Sequence, residues 1–347
     1  MNKILIATTL LLSALSTQAQ TDQSAGFVRR CVVEEYTGTW CGNCPRGIVG
    51  LSRLAEDFGD RFIGIAIHTG DSEPMVIPTY PRLVPGAGGI PACTIDRAGK
   101  LDPYSGGGSR GAFHYGIDVE FAYRLNQPTE AGLELTAQWN DQQQWDVRFT
   151  ATTTFCIDSP DAPYRLAFIL LEDGMKGEGK AWQQVNYFST ETDFTDSKNY
   201  SDDDMKVWRE APYLVSDMVY DHVPVNTLGI KDGIAGSISA PIVSGESQTF
   251  SSLVTTINVR VIQDKERLSA VAILLNTQTG EIVNAAKASI LPYGTDGILP
   301  AVSNEPPYRQ SYDLLGRPIN HRSTQGISIE RQPSSGKHVK RQSVNHK

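Results

Sequence analysis

The sequence predicts two folded units in series, an α/β layer and then an antiparallel β-sandwich, and so a multidomain α+β protein. Three observations predict it. Between residues 25 and 127 strand-like and helix-like patterns alternate, as they do when helices pack on a sheet. From 128 to 300 strand-like runs follow one another with turn clusters between them, as in a sandwich. The chain of 347 residues also exceeds the roughly 100 to 200 residues of a usual single domain.

The first segment stands outside both units. In "MNKILIATTLLLSALSTQAQ", Lys3 gives a positive start, Ile4 to Leu15 an apolar run, and Thr17-Gln18-Ala19 a small-residue cleavage site. That pattern predicts a secretory signal peptide over 1–19. The run, broken by Thr8, Thr9 and Ser13, is shorter than the roughly 20 residues of a membrane helix. No later segment reaches that length, so no membrane-spanning segment is predicted and any outer-membrane association would be peripheral. Cys31 lies too far downstream of the run to be a lipidated N-terminus.

Each element of 25–127 has its own signal. "RRCVVEEYTG" is a short apolar, β-branched run closed by a glycine and reads as a buried strand. "CPRGIVGLSRLAEDFGD" sets Ile48, Leu51, Leu54, Ala55 and Phe58 at helical spacing, with Pro45 in the permitted first turn and Gly59 as the stop. "RFIGIAIHTG" is the next strand, and the proline-interrupted stretch 73–88 holds at most a short helix opening near Pro74. "GGIPACTIDRAGKL" reads as a loop, a strand and a turn at Ala98-Gly99-Lys100. "YGIDVEFAYRLNQP" puts Ile117, Phe121 and Leu125 on one helical face and stops before Pro128.

After Pro128 the runs "AGLELTAQW", "QWDVRFTATTTFCI", "YRLAFILLEDG", "QTFSSLVTTINVRVI", "LSAVAILLNTQTGEIV" and "AAKASILPYG" read as strands, with turns such as Asn140-Asp141 and Thr279-Gly280 between them. Residues 301–347 read as a linker and a basic C-terminal tail: of the net charge of -8, the stretch from Glu305 onward carries +5 and the remainder -13. An acidic body argues against nucleic acid as a partner.

Three stretches that could bind ions or phosphates read otherwise. "YSGGGSRGAFHYG" lacks the Gly-Lys-Ser/Thr that cradles phosphate, so no cofactor site is read. Asp202, Asp203 and Asp204 lack EF-hand spacing and read as a solvated acidic turn. His68 and Cys93 could approach the cysteine pair, but no second ligand pair has zinc spacing. No metal is therefore predicted, and His68 reads as a surface or loop-packing residue.

Five cysteines in an exported chain allow at most two disulfides. Cys31 begins the first strand, roughly 16 Å from its far end at about 3.3 Å per residue, whereas Cys93 is expected near that end. A disulfide needs Cα atoms within about 7 Å, so both are expected to be free and buried. In "YTGTWCGNCPR", Cys41 and Cys44 are a redox couple, half of a metal site or a structural staple. The pair follows a strand and opens a helix, where the dipole favours a thiolate. Arg46 adds a positive charge and Trp40 is placed to shield one side.

The strand and helix order, the "WCGNC" turn and "GIP" at 89–91 before a strand together resemble thioredoxin-like proteins over residues 27–127. The resemblance implies Cys41 as nucleophile, Cys44 as resolving thiol, a Cys41–Cys44 disulfide when oxidised, Glu35 as a buried proton acceptor, and Pro91 as a cis-proline whose loop lies against the pair. Gly42-Asn43 replaces the Gly-Pro of reductants and Pro45 directly follows the pair, which leaves the direction of exchange open.

A longer resemblance rests on "VVEEYTGTWCGNCPRG", "IAIHTGD", "GIPACTIDR", "VYDHVPVNTLGI" and "GEIVNAAKASI" in that order. Over about residues 27 to 293 the chain is similar to a family of exported Bacteroidetes proteins named after an outer membrane protein of twenty-eight kilodaltons. It implies a thioredoxin-like domain and a β-sandwich at the outer membrane or cell surface, otherwise in the periplasm or outside the cell, and brings no established reaction. The tail "YDLLGRPINHRSTQGISIE" resembles terminal appendages of the same lineage, some of which are sorting signals, although Pro318 interrupts the expected strand.

Two functions are compatible with these parts. One is thiol-disulfide exchange at Cys41 and Cys44 with a protein thiol or disulfide partner. The other is surface binding or adhesion, with Cys41–Cys44 as a structural bridge and a ligand on the sandwich loops.

Overall fold

The computed structural model describes residues 26–81, 83, 89–106, 115–191 and 202–295, and four two-residue strands in the tail at 311–312, 318–319, 329–330 and 339–340. The signal peptide read over 1–19, most of the tail and the centre of the glycine-rich loop lie outside them. The tail strands pair as two antiparallel couples, the first including Pro318 opposite Tyr312.

The first sheet contains β1 (Cys31–Thr37), β2 (Phe62–His68), β3 (Ala92–Ile95) and β4 (Ala98–Leu101), in the order β2-β1-β3-β4. β1 and β2 are parallel, which requires a crossover. Helix α1 (Pro45–Phe58) supplies it, and α2 (Ile117–Leu125) packs beside it. Side-chain alternation on β1 divides two cores: Cys31 and Val33 face the helices with Leu51, Leu54 and Phe121, while Val32 and Tyr36 face the other way.

One local expectation is corrected by the structure. The turn between β3 and β4 falls at Asp96-Arg97, with φ of 53° and 63°, as in the left-handed hairpin turn. Tertiary bonds favour it over Ala98-Gly99-Lys100: Asp96 accepts from the Val32 amide and Arg29, and Arg97 clasps the buried Glu34. No helix forms near Pro74 among the described residues. Met75 enters one core while Ile77 and Tyr80 enter another, and Glu73 is committed to other bonds.

The second sheet comprises β5 (Ala131–Trp139), β6 (Asp146–Phe155), β7 (Tyr164–Glu172), β10 (Val223–Leu228), β11 (Ser247–Thr255), β12 (Leu268–Asn276) and β13 (Ile282–Leu291). It is one mixed sheet, ordered β10-β7-β12-β13-β5-β6-β11, where two antiparallel sheets were expected. The ten-residue β13 joins the limbs: its 282–289 stretch pairs antiparallel with β12, and Ile290–Leu291 pair parallel with β5. The sheet curls into a half-barrel around Phe149, Phe155, Phe168 and Leu274.

β7 and β12 lack polar alternation because both their faces are covered. Leu166, Phe168 and Leu170 point into the half-barrel, while Ala167, Ile169 and Leu171 meet Val32, Ile63, Ile65 and Ile67 of the first sheet. The molecule is thus layered as helices, small sheet and curled sheet. Between β7 and β10 the chain makes an excursion whose described residues, 173–191 and 202–222, contain β8 (Gln184–Val185), β9 (Leu214–Val215) and α3 (Lys206–Glu210). That excursion returns to the cysteine pair.

Candidate active site

Cys41 and Cys44 sit in the turn that joins β1 to α1, and they are joined by a disulfide with Cα atoms 5.3 Å apart. Cys44 is the residue before the first helical position, where Pro45 has no amide to leave unpaired. The Cys41 Sγ lies 3.5 Å from the carbonyl oxygen of Ile90, and the Ile90–Pro91 peptide is cis. Cys41 is 6% exposed and Cys44 not at all.

Glu35 points from β1 toward the helix layer, and its backbone pairs with Cys93 on β3. It is 1% exposed, and its Oε1 has no hydrogen-bond partner among the described residues. Gly47, one turn past Cys44, makes room for it: a Cβ at Gly47 would stand 1.6 Å from that oxygen. Burial pushes the Glu35 carboxyl up to about 8, against a smaller opposing effect of a hydrogen bond with Thr37. An uncharged acid at neutral pH therefore lies directly beneath the first turn of α1. The neighbouring Glu34 faces the opposite layer, where Arg97 and Tyr80 satisfy it. Only one of the two acids is left without a charge partner.

The flanks of the pair are fixed by other bonds. Glu73 accepts from the Thr39 amide at 2.7 Å and from its hydroxyl, and its other oxygen meets His68 Nδ1 at 3.1 Å. His68 is buried and stacks edge-on against Tyr220, a loop-packing role. Trp40 is 53% exposed and donates its indole N–H to the Thr69 carbonyl, so it borders the site without enclosing it. The Arg46 charge is met by Asp102 at 2.7 Å.

Sequence reasoning missed the cover. The excursion lays 181–187 along the turn: the Ala181 carbonyl oxygen lies 2.9 Å from Thr39 Oγ1, whose single proton Glu73 also attracts, while the Val185 amide donates to Thr39 O and the Tyr187 amide to Gly42 O. Gln184, itself buried, donates its side-chain amide to Cys41 O at 2.9 Å. The Tyr187 ring lies so close to Gly42 that a Cβ there would come within 2.2 Å of it. The available signal was the aromatic content of "KAWQQVNYF", with Trp182, Tyr187 and Phe188 within nine residues. Asp202 and Asp204 likewise dock rather than stand in solvent, bonding Tyr104, with Asp204 also meeting Arg53 of α1.

Cys31 and Cys93 are free and buried. Burial raises the Cys31 thiol to about 12, and raises Cys93 well above its ordinary value, helped by the Glu35 and Asp102 charges. Among the described residues no three His, Cys, Asp or Glu side chains gather to hold a metal ion. Nor is any described helix long and apolar enough to cross a membrane, a criterion that does not reach β-barrels.

No protein-family model matches the chain, and no curated protein matches it in sequence. Among solved structures it is similar to HBP35 of Porphyromonas gingivalis, with a TM-score of 0.50 at 16% identity over 87% of this chain and 93% of that one. That likeness is one of fold. A protein of Agrobacterium tumefaciens follows at 0.37 and 13% identity, over 75% of this chain and 93% of that one. A domain of the outer membrane lipoprotein Omp28 from Porphyromonas gingivalis follows at 0.23 and 15% identity, over 47% of this chain and 90% of that one. The last two scores are too low to carry the comparison further.

Proposed function

We propose that this chain is an exported thiol-disulfide exchange protein of the cell envelope. In this reading a thioredoxin-like unit, 25–127, carries the reactive pair, and the unit at 128–300 supports and covers it. Segment 1–19 directs export, and the destination is the outer membrane or cell surface, otherwise the periplasm or the exterior. The observation that carries the proposal is Glu35. An acid that burial keeps protonated, set against α1 one turn from Cys44 with an unpartnered oxygen, is costly to the fold and useless to a permanent bridge.

The chemistry balances with a partner dithiol. A partner thiolate attacks Cys41 Sγ, and the Cys41–Cys44 bond breaks with its electron pair on Cys44, which takes the proton of Glu35. The partner's second thiolate then attacks its own sulfur in the mixed disulfide and releases Cys41 as a thiolate. The partner is oxidised by two electrons and the pair reduced. In the reverse direction the Glu35 carboxylate accepts the Cys44 proton.

The cover at Cys41 favours a second reading, in which the bridge is structural and the protein binds a surface ligand. The two are separated by mixing the oxidised mature protein with a reduced dithiol peptide. Exchange requires peptide disulfide to form, Cys41→Ser to abolish it, and Glu35→Gln to slow it on the order of a hundredfold. A Glu35→Gln protein as fast as the parent would leave the acid no part in the reaction.

A further inference from the structure

The excursion does more than shield the pair. Three backbone carbonyls of the turn, those of Thr39, Cys41 and Gly42, accept from Val185, Gln184 and Tyr187. Gln183 is extended, and Gln184–Val185 form a short strand with Leu214–Val215 on its other side. An extended segment therefore runs beside the cysteine turn and bonds it through main-chain amides, as an added strand bonds a sheet edge. The segment is anchored beyond the site. Asn186 donates to Trp208 O and Pro212 O and accepts from the Phe188 amide, while Phe188 and Trp208 enter the helix-layer core. Beside it, between Trp40 and Lys180, opens a cleft of about 540 Å³ lined also by Gly70, Asp71, Gln183 and Val185.

We infer that residues 184–187 are an internal stand-in for an extended cysteine-bearing polypeptide, occupying the carbonyl edge of 39–42 so that a partner must displace them to reach Cys41. This restraint presupposes the exchange reading and adds to it the class of partner. The partner is a polypeptide in extended form, whose backbone amides take over the Thr39 and Gly42 carbonyls while its cysteine meets Cys41 Sγ. The Tyr187 ring over Gly42 and the Gln184 amide on Cys41 O are side-chain contacts that, with the Val185 and Tyr187 main-chain bonds, hold the resting state closed. Gly42 is part of the device, since any side chain there would strike the ring.

The test is the rate at which dithiothreitol reduces Cys41–Cys44 in the intact mature protein, read by alkylation and mass. Gln184→Ala and Tyr187→Ala remove the contacts from the cover, and Gly42→Ala forces the same contact apart from the turn. Each variant is first checked for a native melting transition. Losing one buried contact shifts a local opening equilibrium by roughly tenfold, so each variant is expected to be reduced about tenfold faster than the parent. A parent reduced as fast as all three variants overturns the cover while leaving exchange standing. A bond that no form reduces without denaturant overturns both. A measurement on unaltered cover residues adds a second arm, with Cys44→Ser protein carrying a cysteine peptide on Cys41. Its Val185 and Tyr187 amides are expected to exchange hydrogen faster than in the peptide-free protein, and equal protection counts against displacement.

Discussion

Glu35→Gln gives the most detailed test of the site, because the sign and size of its effect follow from burial. The folded protein holds the Glu35 proton up to about pH 8, whereas the unfolded chain releases it near the ordinary value of 4.5. Between those values the folded state binds more protons, so stability falls as pH rises. The contribution is fully present below 4.5 and is lost as pH passes through about 8. At about 1.4 kcal/mol for each pH unit between the two values, the loss is on the order of 3 to 5 kcal/mol across that window. Glutamine keeps the shape and has no such titration. Urea denaturation of parent and variant from pH 4.5 to 9, with the disulfide intact, isolates the Glu35 contribution as the difference between two curves, since every other group is shared. The parent is expected to lose ground against the variant steadily as pH rises, most of it by pH 8. A difference that stays flat within about 1 kcal/mol would refute the reasoning and mean that Glu35 ionises as an ordinary surface acid does.

Three further outcomes follow from the same geometry. Gly47→Ala, which gains up to about 1 kcal/mol of helix propensity on an exposed helix, is expected instead to destabilise by roughly 2 kcal/mol or more, because its Cβ falls on the Glu35 carboxyl; chemical denaturation decides the sign. Arg97→Ala leaves Glu34 buried without its cation, and denaturation is expected to register a loss on the order of 3 to 5 kcal/mol. In native, oxidised protein, iodoacetamide at pH 8 is expected to leave Cys31 and Cys93 unlabelled, since both thiols are buried and titrate far above that pH; labelling of either within minutes would contradict their packing.

The parts of the site that lie close together in sequence were legible. "CPRGIVGLSRLAEDFGD" carries its own helix period, first-turn proline and terminal glycine, and α1 runs Pro45–Phe58 with Gly59 at its end. Six long strand-like runs after Pro128 each hold a strand. What failed was decided at long range. The hairpin turn moved to Asp96-Arg97 because Val32, Arg29 and Glu34, all more than sixty residues away, bond those two side chains. One curled sheet replaced two because β13 is long enough to pair on both limbs. The continuous apolar runs of β7 and β12 were a sign of burial on two faces, and the face they cover belongs to the first sheet. The cover over the cysteines could not be read locally, since Gln184 meets Cys41 across 143 positions.

The most direct measurement is the reduction potential of the Cys41–Cys44 pair, with the mature protein equilibrated in thiol buffers, its alkylated cysteines counted by mass, and Cys41→Ser and Cys44→Ser as controls. Exchange requires a potential near or above about -230 mV, in the range of proteins that pass disulfides on. A potential below about -300 mV, or a pair that never equilibrates, would contradict it and leave Cys41–Cys44 as a structural bridge.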